Sequence, residues 1–353
     1  MMEESCETKK FGYLADGRSV ELWTLRGRGG MVMEAMTYGG AVVRLLVPDR
    51  EGRLDDVVLG FSNLADYTRQ KSYFGCNAGR VAGRITQARF ELDGRIYEMA
   101  SNDPPNHLHG GCGGFDTRLW RAEAIERTDG APSVRFSYLS PDGEDGYPGG
   151  VRVSVTYSVT DVNALIIDTH ATCDCATPFG LTHHSYFNLA GEGSGDVMDH
   201  LLRIDADHYV PTDDCMGLSG RRDSVFGTPN DLREPRQLRE VIPRLHQKHG
   251  ELYLLDHKSG SGGMNVAVAE LYEPVSGRLL EVLTSESCLQ FYSGHSLGNL
   301  PTGKSGRLYG PYSGLCLECE SYPDGVRHPE FGEIILRPGH IHERRSAYVF
   351  STR

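Results

Sequence analysis

A chain of 353 residues with 36 basic and 48 acidic side chains carries a net charge of −12. That balance argues against nucleic acid or an anionic membrane as the main partner, because both are polyanions. No apolar run reaches the ~18 residues of a membrane span, and 43 glycines without a three-residue period exclude collagen and imply many turns.

The chain opens on Met1-Met2-Glu3-Glu4-Ser5, which is acidic and lacks the apolar stretch of a signal peptide. A cytoplasmic location is the expectation. Nine cysteines, an odd count with several inside apolar runs, fit reduced thiols better than a disulfide scaffold. Beyond the first residues a period of two dominates. It marks strands over 20–25, 31–36, 41–47, 118–125, 133–139, 151–159, 165–169, 265–272, 278–284 and 346–350. A short helix is expected at 63–70 with Asn63 as its cap, and a second at 232–241. Asp93-Gly94, between Phe90-x-Leu92 and Ile96-Tyr97, predicts a hairpin. Residues 221–263 are the least strand-like and read as a long excursion. The sum is about twenty strands with scarce helix. No linker or repeat divides residues 1–353, so a single all-β domain is expected. Two antiparallel sheets packed face to face would solve burial and edge protection together.

Several segments carry chemistry. Histidines cluster in Asn106-His107-Leu108-His109-Gly110-Gly111, in Thr182-His183-His184-Ser185-Tyr186-Phe187-Asn188, and in Leu255-Asp256-His257. In a regular strand His107 and His109 would share a face and reach one metal ion. The established zinc spacings are absent, and so are phosphate-binding glycine loops. Cys316-x-x-Cys319 and Cys173-x-Cys175 lack second pairs and read as small apolar strand residues. Leu315-Cys316-Leu317-Glu318-Cys319-Glu320 sets a carboxylate inside an apolar strand. A buried charge of that kind must be partnered or functional.

Taken together, the chain resembles the aldose 1-epimerase family along almost its whole length. Val47-Pro48-Asp49-Arg50 with Asp56-Val57-Val58-Leu59-Gly60-Phe61 is similar to that family's opening hairpin. Gly79-Arg80-Val81-Ala82-Gly83-Arg84-Ile85 resembles its G-R-x-A-N-R-I segment, and His109-Gly110-Gly111 its H-G-G motif. Ser140-Pro141-Asp142-Gly143-Glu144-Asp145-Gly146-Tyr147-Pro148-Gly149, Leu181–Gly191, Asp256-His257 and Gln290-Phe291-Tyr292-Ser293-Gly294 follow in the family's order. Leu317-Glu318-Cys319-Glu320, with Pro323-Asp324 and His328-Pro329-Glu330-Phe331, is similar to its end. The resemblance implies a large antiparallel β-supersandwich with a sugar cleft across one sheet. It implies Glu318 as base, His184 as acid and His109 as a second cleft histidine. Substrate contacts are implied for Arg84, Asp256 and Gln290, with Gly83 at the cleft edge. Two positions depart: Gly83 stands where the family has Asn, and Glu320 where it has Gln. The first removes a polar side chain from the cleft. The second sets a like charge beside Glu318, which raises one of the two pKa values.

The implied reaction interconverts the α and β anomers of a free hexose, galactose or glucose. A base takes the C1 hydroxyl proton while an acid protonates the ring oxygen. Nothing is oxidised and no group is transferred, so no cofactor and no metal is expected. The implied partner is a small neutral monosaccharide, and the protein a monomer or homodimer. Two other readings stay open: a glycosidase using Glu318 and Asp256 as paired carboxylates, and a non-catalytic sugar-binding relative of the same fold. A relative acting on hexose 6-phosphates would want a basic cluster at one end of the cleft, which the sequence does not single out.

Overall fold

The computed structural model describes residues 4–245, 250–255, 264 and 266–353. Among them run 27 strands. The excess over the expected number comes largely from two-residue strands inside the motif segments, such as Arg84–Ile85, His107–Leu108 and Thr182–His183.

Three sheets carry most of the architecture. The first is a meander of Ser5–Tyr13, Ser19–Arg26, Val32–Met36, Val42–Pro48 and Leu54–Asp56, each strand pairing with the next. Its opening strand does not show in the hydropathy pattern. Ser5–Tyr13 is an edge strand, and Glu7, Thr8, Lys9 and Lys10 in its middle are all exposed. Charge on an edge strand deters pairing with another chain.

The second sheet has nine strands. Its order in space is Arg121–Ile125, Ser133–Ser140, Val151–Val159, Ala164–Cys173, His342–Thr352, Arg278–Thr284, Ala269–Tyr272, Leu201–Ile204 and Arg236–Gln237. The third has five: Asp223–Ser224, His208–Val210, Leu252–Leu254, Cys288–Tyr292 and Cys316–Glu320. All three are antiparallel throughout. Phe187 joins the first sheet to the third by bridging to Val58 on one side and Leu315 on the other.

One buried cluster takes Met33 and Leu45 from the first sheet, Val155, Leu280 and Tyr348 from the second, and Leu289, Phe291 and Leu317 from the third. The nine-stranded sheet therefore packs across both five-stranded sheets, the layered sandwich expected of this strand pattern. The Tyr348 hydroxyl donates to the Leu317 carbonyl at 2.8 Å and ties the layers together.

Local expectations are met at two sites. Asn63 caps Leu64–Arg69 by accepting from the Asp66 N–H at 3.0 Å. Asp93 and Gly94 both take positive φ (51° and 76°) between Arg89–Leu92 and Arg95–Glu98, as a tight hairpin demands. The second helix is shorter than expected. Only Leu238–Val241 is helical, and Arg236–Gln237 pairs with Leu201 and Leu202 instead. Pro235 disfavours helical backbone at the residue before it, which leaves the helix to begin beyond the proline. All nine cysteines are free. No described helix is long and apolar enough to cross a membrane.

Candidate active site

Strand alternation selects what enters the cleft. Along Cys316–Glu320, Leu317 and Cys319 join the central core, so Glu318 and Glu320 face the other way. Gln290 sits directly opposite Glu318 in the neighbouring strand, and Leu252 directly opposite Gln290. These four side chains line a cavity of about 440 Å³, within the range of small-molecule sites.

The facing wall comes from short motif strands. Thr182–His183 pairs with Asn77–Ala78. His183 turns to the core, where its Nε2 and the Ser185 hydroxyl lie 2.7 Å apart and Tyr157 and Tyr348 flank the ring. The next residue, His184, therefore enters the cavity. Its Nε2 lies 3.5 Å from Oε1 of Glu318, and its Nδ1 lies 3.6 Å from the Cys316 thiol.

His109 reaches the cavity by breaking its strand. Its φ is 50°, and Gly110 and Gly111 follow at 86° and 94°. A Cβ on Gly110 would stand 1.8 Å from the Gly79 carbonyl oxygen, so only glycine lets these two segments touch. The break separates His109 from His107. His107 is held behind the wall between the Ala100 carbonyl and the Tyr147 hydroxyl, at 2.7 and 2.9 Å. A metal site shared by His107 and His109 is thus not formed. The segment from Ser140 to Gly149 is also support, not cleft. It wraps the buried Arg80 guanidinium, which donates to the carbonyls of Pro141, Pro148 and Gly149.

The Gly83 N–H donates to Nδ1 of His109 at 3.1 Å, which leaves the neutral ring's proton on Nε2. The His109 ring meets His184 edge-on at 5.2 Å and Tyr73 at 4.7 Å. Arg84 enters the cavity beside Gly83 and is anchored by Asp103, 2.7 Å from its Nε. Asp256 lies outside the described residues. Glu318, His184, His109, Arg84, Gln290 and Gly83 are all brought together.

Burial sets the electrostatics. It pushes the His184 ring down to about 4 and the Glu318 carboxyl up to about 8, the latter opposed by Arg84. It also holds His109 well below the ordinary histidine range, with neighbouring His184 and Arg84 adding to the effect. Glu320 is raised well above the carboxylate range, first by burial and then by the charge of Glu318, in the direction a like-charge neighbour predicts.

One ligand atom each from His109, His184 and Glu318 fall within 4.8 Å of one another, the one such group among the described residues. Ligands of one tetrahedral ion at ~2.1 Å would sit about 3.4 Å apart. The trio is looser than that, and the Gly83 N–H occupies one of its nitrogens. Hydrogen-bond and proton exchange with an organic substrate suits this spacing better.

Two cavity residues escape the sequence reading. Glu251 is buried at the cavity wall, its Oε2 has no hydrogen-bond partner, and burial lifts its carboxyl to about 8. A carboxylate abutting the apolar run Leu252–Leu255 was a usable signal, the same one that marks Glu318. Tyr73 packs on both cleft histidines, and nothing local in the sequence announces it.

The aldose 1-epimerase family model matches residues 21–349. Galactose mutarotase of Rattus norvegicus is 40% identical over 344 residues, covering 97% of each chain. Aldose 1-epimerase of Escherichia coli is 34% identical over 342 residues, covering 95% of this chain and 96% of that one. An aldose epimerase homologue from C. elegans superposes with a TM-score of 0.84 at 29% identity, covering 99% of both chains.

Proposed function

The chain belongs to the aldose 1-epimerase family of isomerases, and from that premise we propose that it interconverts the α and β anomers of free galactose and glucose. The observation that carries this reading is the His184–Glu318 pair, with Nε2 and Oε1 3.5 Å apart at the cavity wall. In a pyranose, O1 and O5 are both bonded to C1. An acid and a base acting on them must therefore be close neighbours. Glu318 takes the O1 proton while His184 protonates O5, and the C1–O5 bond opens to the aldehyde. Rotation about C1–C2 presents the other carbonyl face. The same pair with roles exchanged then closes the ring.

The cycle turns on one proton. The pair needs one proton between its two members, and either member holds it at different moments. With Glu318 raised and His184 lowered, that single proton rests on Glu318 at neutral pH and must pass to His184 before Glu318 can act as base. His109 presents Nε2–H toward the cavity and polarises the ring oxygen. Arg84 and Gln290 hold hydroxyls, with Asp256 expected to join them. The reaction is balanced without cofactor or metal.

The site is assembled from one chain, so a monomer or homodimer suffices, and residues 1–353 act as one domain. Nine free cysteines support a cytoplasmic setting. The glycosidase alternative pairs Glu318 with Asp256, which lies outside the described residues, whereas the His184–Glu318 approach of 3.5 Å is an acid–base pair of the kind an epimerase needs. Polarimetry on freshly dissolved α-galactose tests the reading. Faster decay of rotation than in buffer supports it. Release of nitrophenol from a nitrophenyl galactoside, without faster mutarotation, overturns it.

A further inference from the structure

Glu320 has no part in the proton exchange, yet it faces the cavity. It ends the strand Cys316–Glu320 on the same side as Glu318 and is 2% exposed. Its Oε2 has no hydrogen-bond partner in the protein. Arg84 acts on both carboxyls, but its Nε is committed to Asp103. Glu286 is close and adds negative charge of its own, held by Ser321 and Arg344. Directly opposite in the sheet stands Cys288, a weak donor already facing Ser287.

The two departures from the family pattern turn out to be neighbours. A Cβ on Gly83 would stand 3.3 Å from Oε1 of Glu320 and 2.3 Å from Cγ of Pro323. A side chain at position 83 would crowd the carboxyl. Glycine leaves room beside Oε1 of that carboxyl at the cavity wall.

A buried carboxyl oxygen without a partner is costly, and the side chain that carries this one lines the cavity. What enters the cavity must satisfy it. Resting on the mutarotase reading, we propose that Glu320 is a specificity-determining residue that hydrogen-bonds one hydroxyl of the bound aldose. The enzyme then favours aldoses carrying that hydroxyl over the analogue lacking it. Sites built around a buried polar partner reject such analogues strongly.

The test is calorimetric binding of galactose and its 2-, 3-, 4- and 6-deoxy analogues to wild type, Glu320→Gln and Glu320→Leu, with polarimetry in parallel. For one analogue, wild type should bind about tenfold to a hundredfold more weakly than galactose. Glu320→Leu should close that gap to about twofold, because both ends of one hydrogen bond are then gone. Glu320→Gln should keep most of it. If Glu320→Leu does not fold, Glu320→Ala takes its place. Discrimination that is the same in wild type and the apolar variant for every analogue overturns the proposal, as does failure of wild type to bind any of these sugars. The predicted binding pattern without faster mutarotation would instead overturn the catalytic reading and leave this contact standing.

Discussion

Nε2 of His184 and Oε1 of Glu318 face each other at 3.5 Å, with side chains only 4% and 3% exposed. Burial moves the two groups in opposite directions, because it disfavours the charged form of each. The histidine falls to about 4 and the carboxyl rises to about 8. Between those values the pair holds one proton.

That proton count predicts the pH profile. Below the lower value both members are protonated and no base remains. Above the upper value neither holds a proton and no acid remains. We expect kcat/KM for α-galactose to be bell-shaped, with limbs near 4 and 8 belonging to the pair as a whole. Rates flat from pH 5 to pH 10 would contradict a shared proton.

Removing either member should abolish the exchange and leave the fold. Glu318→Gln keeps the shape of the side chain, and His184→Ala removes a ring that contacts Tyr73, Tyr186 and His109. General acid–base groups contribute typically ~10²–10⁴-fold, so kcat should fall by that order in each. Circular dichroism should remain that of the wild type. A kcat within threefold of wild type in either variant would remove that residue from the mechanism.

The chemistry was legible where the sequence breaks its own pattern. Glu318 stands out as a carboxylate inside an apolar strand, and the observed alternation with Leu317 and Cys319 explains why it reaches the cleft. Ser133–Ser140, Val151–Val159 and Arg278–Thr284 of the nine-stranded sheet were legible because they bury alternate residues, whereas Leu201–Ile204 and Arg236–Gln237 of the same sheet were not. Ser5–Tyr13 was not, because its middle is exposed and polar. His107 and His109 do not share a face, because the strand ends at Leu108 and His109 itself takes a left-handed φ before two glycines. The Ser140–Gly149 segment was legible as a motif but not as support. Its partner Arg80 lies far away in sequence. For the same reason nothing showed that Gly83 and Glu320 touch.

Gly110 fixes where His109 points. Its φ of 86° and the Gly79 carbonyl oxygen 1.8 Å from a would-be Cβ leave no room for a methyl group. The obstacle is backbone, so no side-chain rotation relieves it. Gly110→Ala should destabilise the protein by at least about 2 kcal/mol and lower kcat/KM through misplacement of His109. Thermal melting and polarimetry check the two effects. A variant as stable and active as wild type would mean that the two segments can separate freely.

Glu251 should make stability depend on pH above neutrality. Burial raises its folded carboxyl to about 8, well above the ordinary carboxylate value. A group raised in this way stabilises fully below its unfolded pKa, and its contribution is lost as pH rises through the folded value. Glu318 contributes with the same sign, whereas the buried histidines lose stability in the opposite direction, as pH falls below about 6.5. Between pH 6.5 and 8.5 the carboxyls therefore act alone among these groups. For Glu251 the interval from 6.5 to about 8 corresponds to about 2 kcal/mol, or roughly 3 °C in melting temperature. Glu251→Gln cannot ionise. Its melting temperature should fall less across this interval than that of wild type, by about that amount, as read by differential scanning calorimetry at the two pH values. Parallel losses in both proteins would show that Glu251 is ionised in the folded state already at pH 6.5.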